Sequence, residues 1–173
     1  MRYFIVGILS WFIFINAQAA QLTLTSEGIA TNALFPVLYT CDGKNISPPL
    51  QWENIPKKTV SLALVVLDLS PTIPLYHWVF YNIPPSVSSL ETGVPILPKG
   101  AIQSKNSWGR AGYTGFCPPK GAMHQYSFTL YALDKRLTLS EDTTPADVLN
   151  AIDKAIIQQA EIKISYSRWP WPQ

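Results

Sequence analysis

The chain has 173 residues, 14% of them charged and 47% hydrophobic, with a formal net charge of +2. A nucleic-acid-binding domain carries a clustered basic face, so this balance argues against that class. The length fits one domain around a single core.

Residues 1–19 carry the pattern of a secretory signal peptide: Arg2, an apolar run from Phe4 to Ile15, and the small-residue site Ala17-Gln18-Ala19. The run is about a dozen residues where a spanning helix needs about 20, so cleavage after Ala19 is expected rather than a permanent membrane span. Residues 20–173 then form the mature domain, expected in the periplasm or secreted. Loss of Arg2 lowers the net charge from +2 to +1.

In chain order, Leu22-Thr23-Leu24-Thr25-Ser26 alternates apolar and polar residues as a half-buried strand does. Pro48-Pro49 precedes a short strand, Leu50-Gln51-Trp52, which ends at Asn54-Ile55-Pro56. Ser61 to Leu67 is a near-continuous apolar run, expected to be a strand buried on both faces. His77 to Ile83 is the next strand; alternation puts His77, Val79 and Tyr81 on one side and Trp78, Phe80 and Asn82 on the other.

Gln125 to Leu133 reads as a strand with His124 at its start and Tyr126, Phe128 and Leu130 on the face of His124. Pro145 to about Ala160 reads as the one helix, capped by Thr144, with Val148, Leu149, Ile152, Ala155 and Ile156 at helical spacing. Ile162 to Tyr166 returns to strand alternation, and the tail Arg168-Trp169-Pro170-Trp171-Pro172-Gln173 is expected to pack on the domain's own surface, with contact to a membrane interface as the alternative.

The segment from Asn106 to Tyr126, NSWGRAGYTGFCPPKGAMHQY, gathers four glycines, Pro118-Pro119, a cysteine and one of the two histidines. Glycine permits positive φ and proline fixes φ, so this is a shaped loop, and its expected task is to place His124. His77 and His124 have two readings: a pair acting in one pocket, or two core imidazoles each hydrogen bonded to a carbonyl. Cys41 and Cys117 also have two: a disulfide, the simplest state of an even pair in an exported protein, or two buried thiols that never meet.

The pieces YTCDGKNISPPLQW (39–52), Asp68 with Pro71, YHWVFYNIP (76–84) and the 106–126 segment followed by SFTLYALD resemble, in order, the phosphatidylethanolamine-binding protein family in its bacterial Raf-kinase-inhibitor-like branch. The resemblance runs from about Leu22 to Arg168. It implies a mainly β fold: a central antiparallel sheet, a smaller second sheet and a peripheral helix. It also implies a surface pocket of Asp68, His77, Pro118, His124 and Tyr126 that takes a small anion or a phospholipid head group. Trp78 is a weaker wall candidate, because alternation turns it from His77. Where the family carries Asp-Pro-Asp-x-Pro this chain has Asp68-Leu69-Ser70-Pro71, and where the family has His-Arg-Tyr it has His124-Gln125-Tyr126.

Two imidazoles supply N–H donors and a carboxylate fixes a tautomer, a set suited to a phosphate or carboxylate group. Two histidines and a carboxylate are also a facial-triad ligand set, but the spacings match no zinc motif, so no metal or other cofactor is expected. Ser70, Ser107 and Cys117 are the nucleophile candidates, with no G-x-S-x-G elbow, and no P-loop or dinucleotide fingerprint is present. A binding module is therefore expected rather than an enzyme. The alternatives are an inhibitor that engages a protease or kinase through the pocket rim, and a hydrolase of a phospho-compound.

Overall fold

The computed structural model describes residues 20–140 and 142–168. Residues 1–19, expected to be a signal peptide, and the part of the tail from Trp169 onward lie outside the described residues. Eight strands form two antiparallel sheets: β1 (Thr23–Thr25), β2 (Leu50–Glu53), β3 (Ser61–Asp68), β4 (Leu75–Ile83), β5 (Ser89–Leu90), β6 (Ile102–Gln103), β7 (Met123–Leu133) and β8 (Ile156–Ser167). The small sheet has the order β1-β2-β5 and the large one β6-β4-β3-β7-β8. Among the described residues the one α-helix, α1 (Pro145–Asp153), packs on the face of the large sheet that carries Ala63, Val65 and Val79. The mainly β architecture with a peripheral helix is the one expected.

The apolar run of β3 is central because it is buried on both faces, as its lack of alternation predicts. On one side Leu62, Leu64 and Val66 join Phe80, Phe128, Phe116 and the small sheet's Trp52. On the other, Ala63 and Val65 meet Val79 and Tyr131 under Val148 and Ile152 of α1. Burying each large side chain stabilises the fold by about 1.5–3 kcal/mol relative to exposure.

The helix begins as predicted, with the Thr144 side chain accepting the Asp147 N–H and Pro145 in the first turn. It ends at Asp153 rather than near Ala160. Ile156 onward instead pairs with β7 along its whole length, from Leu133↔Ile156 to Met123↔Ser167. The ladder with β7 outcompetes the expected further helix of about two turns, because pairing engages the backbone along twelve successive residues at once.

Alternation fails in β4. Val66 pairs with Trp78 but Leu67 pairs with Tyr76, so His77 is the extra residue of a β-bulge. His77 thereby leaves the face of Val79 and Tyr81 and turns to Phe116 and Tyr126. A second register shift lies nearer Ile83, where Asn82 has φ 57°, a left-handed conformation that asparagine tolerates.

Candidate functional site

The strand order β4-β3-β7 brings the end of β3 between the starts of its two neighbours. Asp68 stands opposite both Leu75 of β4 and Tyr126 of β7. With the bulge at His77, this places Asp68, His77, His124 and Tyr126 at one end of the sheet.

Asp68 is 3% exposed. Its Oδ2 accepts from His124 Nδ1 at 2.7 Å and its Oδ1 from the Ser70 N–H at 3.0 Å. The carboxylate thus fixes His124 with Nδ1 inward. Leu69-Ser70 is tied to β7 as well: Leu69 N donates to the Gln125 carbonyl, and Ser70 Oγ accepts from Gln125 N. The altered loop motif keeps its place through these backbone contacts.

His77 is 2% exposed and its Nδ1 lies 2.7 Å from the Thr114 carbonyl. A carbonyl only accepts, so Nδ1 is the donor. Trp108 and Phe116 lie against the ring, with centroids at 4.8 and 4.9 Å, and Tyr126 at 5.5 Å. Burial drives the pKa down to about 4 against the opposing pull of the Thr114 hydrogen bond and the Asp68 charge, with the nearby His124 lowering it further. His77 is therefore neutral at physiological pH, and the expectation that both imidazoles donate to a ligand is corrected. His77 Nε2 offers a lone pair.

Tyr126 is fully buried and stacks on Phe116 at 3.7 Å. Burial raises its phenol pKa and the neighbouring Asp68 charge raises it further, so the hydroxyl stays protonated. Asp68 is the acceptor within reach of that hydroxyl and also raises its pKa as a hydrogen-bond partner, although the contact is too poorly aligned to count as a full hydrogen bond. Four buried side-chain polar atoms lack a partner among the described residues, and two of them are His77 Nε2 and Tyr126 OH. Leaving such a group unmatched costs about 1–3 kcal/mol, which makes these two the chemical signature of the site.

The shaped loop serves His77 more than His124. Asn106, 3% exposed, organises it: Nδ2 donates to the Gly112 carbonyl and Thr114 Oγ1, while Oδ1 accepts from the Trp108 and Arg110 N–H groups. This sets Thr114 and Trp108 against His77. Sequence reasoning missed Trp108, Thr114 and Phe116; the asparagine ahead of a glycine turn was the available signal.

The far end of the loop is fastened to residues 39–45. Cys41 and Cys117 form a disulfide with Cα atoms 5.4 Å apart. Cys41 N donates to the Phe116 carbonyl, Tyr113 OH to the Tyr39 carbonyl and Gly115 N to Asn45 Oδ1. A Cβ on Gly115 would meet the Tyr39 carbonyl at 2.7 Å, so only glycine permits this approach. Arg168 grips both oxygens of Asp42 and Tyr166 OH adds a third bond, which together lower the Asp42 pKa and hold residues 39–45 to the end of β8. Pro118 is buried directly after Cys117 in the same loop. Trp78 is buried with its N–H on Gln103 Oε1 and its ring stacked on Phe80.

Ser70 Oγ and Ser107 Oγ each accept a backbone N–H, and Cys117 is in the disulfide. Among the described residues no group of three or more His, Cys, Asp or Glu is placed to hold a metal, and no helix is long and apolar enough to cross a membrane.

Residues 25–167 match the sequence profile described as phosphatidylethanolamine-binding protein, and the chain belongs to that family. A UPF0098 protein of Methanothermobacter thermautotrophicus is 41% identical over 151 residues, covering 85% of this chain and 99% of that one. The crystal structure of Escherichia coli YbcL superposes with a TM-score of 0.80 at 32% identity, covering 86% of this chain and 99% of YbcL. That of CT736 from Chlamydia trachomatis gives 0.77 at 37% identity, covering 86% and 98%.

Proposed function

We propose that this chain is an exported binding protein whose Asp68, His77, His124 and Tyr126 cluster takes a small phosphate-type anion, with Pro118 in the surrounding wall. The observation that carries this reading is the pair of buried, unmatched polar atoms, His77 Nε2 and Tyr126 OH, beside the Asp68–His124 pair. A small oxyanion would accept from the Tyr126 hydroxyl, and His124, with 18% of its side chain exposed, is the group through which the cluster meets solvent. The family's name supports a phospho-head group as the natural source of such an anion. Binding rather than turnover fits a Cys117 that is held in the disulfide. Export is supported by the disulfide, which persists in oxidising compartments.

Calorimetric titration of the protein with inorganic phosphate and with phosphoethanolamine tests the reading. Tyr126→Phe and His124→Ala should each weaken binding about tenfold to a hundredfold, the equivalent of about 1–3 kcal/mol. No heat from either ligand with the wild type would refute it.

A further inference from the structure

A second cavity, of about 230 Å³, is lined by none of Asp68, His77, His124 and Tyr126. At ~30 Å³ per water it has room for a small molecule or for one unit of a longer chain. Two side-chain amides line it, and the protein fixes which end of each is oxygen. Trp78 Nε1 can only donate, so the atom 3.0 Å from it is Gln103 Oε1. Gly115 N can only donate, so the atom 2.6 Å from it is Asn45 Oδ1. The amino end of each amide is left for the cavity, and among the described residues no protein acceptor is hydrogen bonded to either. The loop backbone locks this arrangement. A Cβ on Gly112 would stand 2.7 Å from Gln103 Oε1 and one on Gly115 2.6 Å from Asn45 Oδ1, so a side chain at either position would push the amide off its donor.

We propose that this cavity is a binding site for an uncharged ligand with carboxamide carbonyls, whose oxygens accept from Asn45 Nδ2 and Gln103 Nε2. Val94 in the same wall points to a ligand independently. Its φ of 44° is a left-handed conformation, an outlier for a β-branched residue, held by the Gly93 N–H on the Ser47 carbonyl and the Val94 N–H on the Glu91 carbonyl. Backbone strain of this kind gathers at ligand sites.

The lining selects the chemistry. None of its residues is charged at neutral pH: burial raises the pKa of the Tyr113 phenol, whose hydrogen is donated to the Tyr39 carbonyl. An anion would lose water there with no cation to pair with. A polyol brings a hydrogen on every hydroxyl, whereas the amide oxygens of the wall already accept from Trp78 and Gly115. A carboxamide carbonyl brings an oxygen with no hydrogen and no net charge, the complement of a wall rich in donors. The one hydrogen of its N–H meets the hydroxyl of Ser47, which is 2% exposed in the same wall. The shaped loop borders both sites, since Tyr113 lines this cavity and Thr114 beside it holds His77.

Nitrogen–proton NMR of the labelled, disulfide-bonded protein at about pH 7 tests this, with N-methylacetamide, acetyl-glycyl-glycinamide, acetate and glycerol as probes. Asn45→Asp and Gln103→Glu assign the two amino groups by removing their signals. Each variant keeps the oxygen that Gly115 or Trp78 needs and turns the amino donor into a carboxylate acceptor. The amide probes should shift both side-chain signals saturably and bind at least about tenfold tighter than acetate or glycerol. Each variant should weaken amide binding about tenfold or more while its urea midpoint stays close to that of the wild type. Saturation by N-methylacetamide shows that a small carboxamide suffices, and saturation by the capped peptide alone identifies a peptide backbone as the source; either result carries the inference. Acetate or glycerol binding as tightly as the amides, Asn45 and Gln103 signals that no amide moves, or folded variants that bind like wild type would overturn it. If a variant does not fold, the comparison of probes on the wild type still decides. None of these outcomes bears on the anion-binding reading, whose residues lie elsewhere.

Discussion

His124 Nδ1 lies 2.7 Å from Asp68 Oδ2, and the carboxylate that holds it is 3% exposed. With its other oxygen on the Ser70 N–H, Asp68 accepts from donors in two directions. It orients the histidine and anchors the shortened loop rather than facing an anion directly.

Asp68→Leu should therefore leave two donors unmatched, lower stability by about 1–3 kcal/mol and weaken phosphate binding about tenfold or more. Asp68→Asn retains an acceptor and should lose much less binding. Denaturant unfolding and calorimetry on both variants check this, and leucine binding phosphate like wild type would remove the orienting role.

His77 makes stability depend on pH. Its folded pKa of about 4 lies below the ordinary 6.5, so between those values the unfolded chain binds more protons than the folded one. The contribution is complete above about pH 6.5 and is lost progressively as pH falls towards about 4, a total of about 3 kcal/mol. Urea midpoints measured at about pH 7, 5.5 and 4.5 should decline accordingly, and His77→Phe should flatten the slope. An unchanged slope in that variant would show that other groups carry it.

The Cys41–Cys117 bridge spans 76 residues of sequence, and in the chain-entropy account closing such a loop stabilises the fold by roughly 4 kcal/mol. Reduction should lower the unfolding midpoint and loosen the Phe116 and Thr114 wall, reducing phosphate affinity as well as stability. Three backbone-directed hydrogen bonds remain between the two loops, so the reduced protein should still fold. Thiol alkylation of the exported, denatured, non-reduced protein should label neither cysteine.

The exported protein should begin at Ala20, after Ala17-Gln18-Ala19. N-terminal sequencing of periplasmic or secreted material reads this directly. Recovery of intact Met1 in the membrane pellet would contradict it.

Much of the fold was legible in the sequence because its signals are local. The unbroken apolar run of β3, the alternation of β7 with His124, Tyr126 and Phe128 on one face, and the Thr144-Pro145 helix start are all patterns that a few neighbouring residues display. Motif order likewise gave the family. The short strands β5 and β6 escaped, since two residues carry no period. The helix end escaped too, because Ile156 satisfies helical spacing and strand pairing alike and only the β7 ladder selects one.

The site divides in the same way. Its residue types were readable, yet their roles were not, because roles depend on partners distant in sequence. One extra residue between Trp78 and Tyr76 turns His77 to the other face of the sheet, an outcome set by pairing with β3 and invisible to alternation within β4. The Thr114 carbonyl, 37 residues away, then claims the ring hydrogen and makes an expected donor an acceptor. Sequence by itself determined which side chains are available; tertiary structure decided which hydrogen each one still has to give.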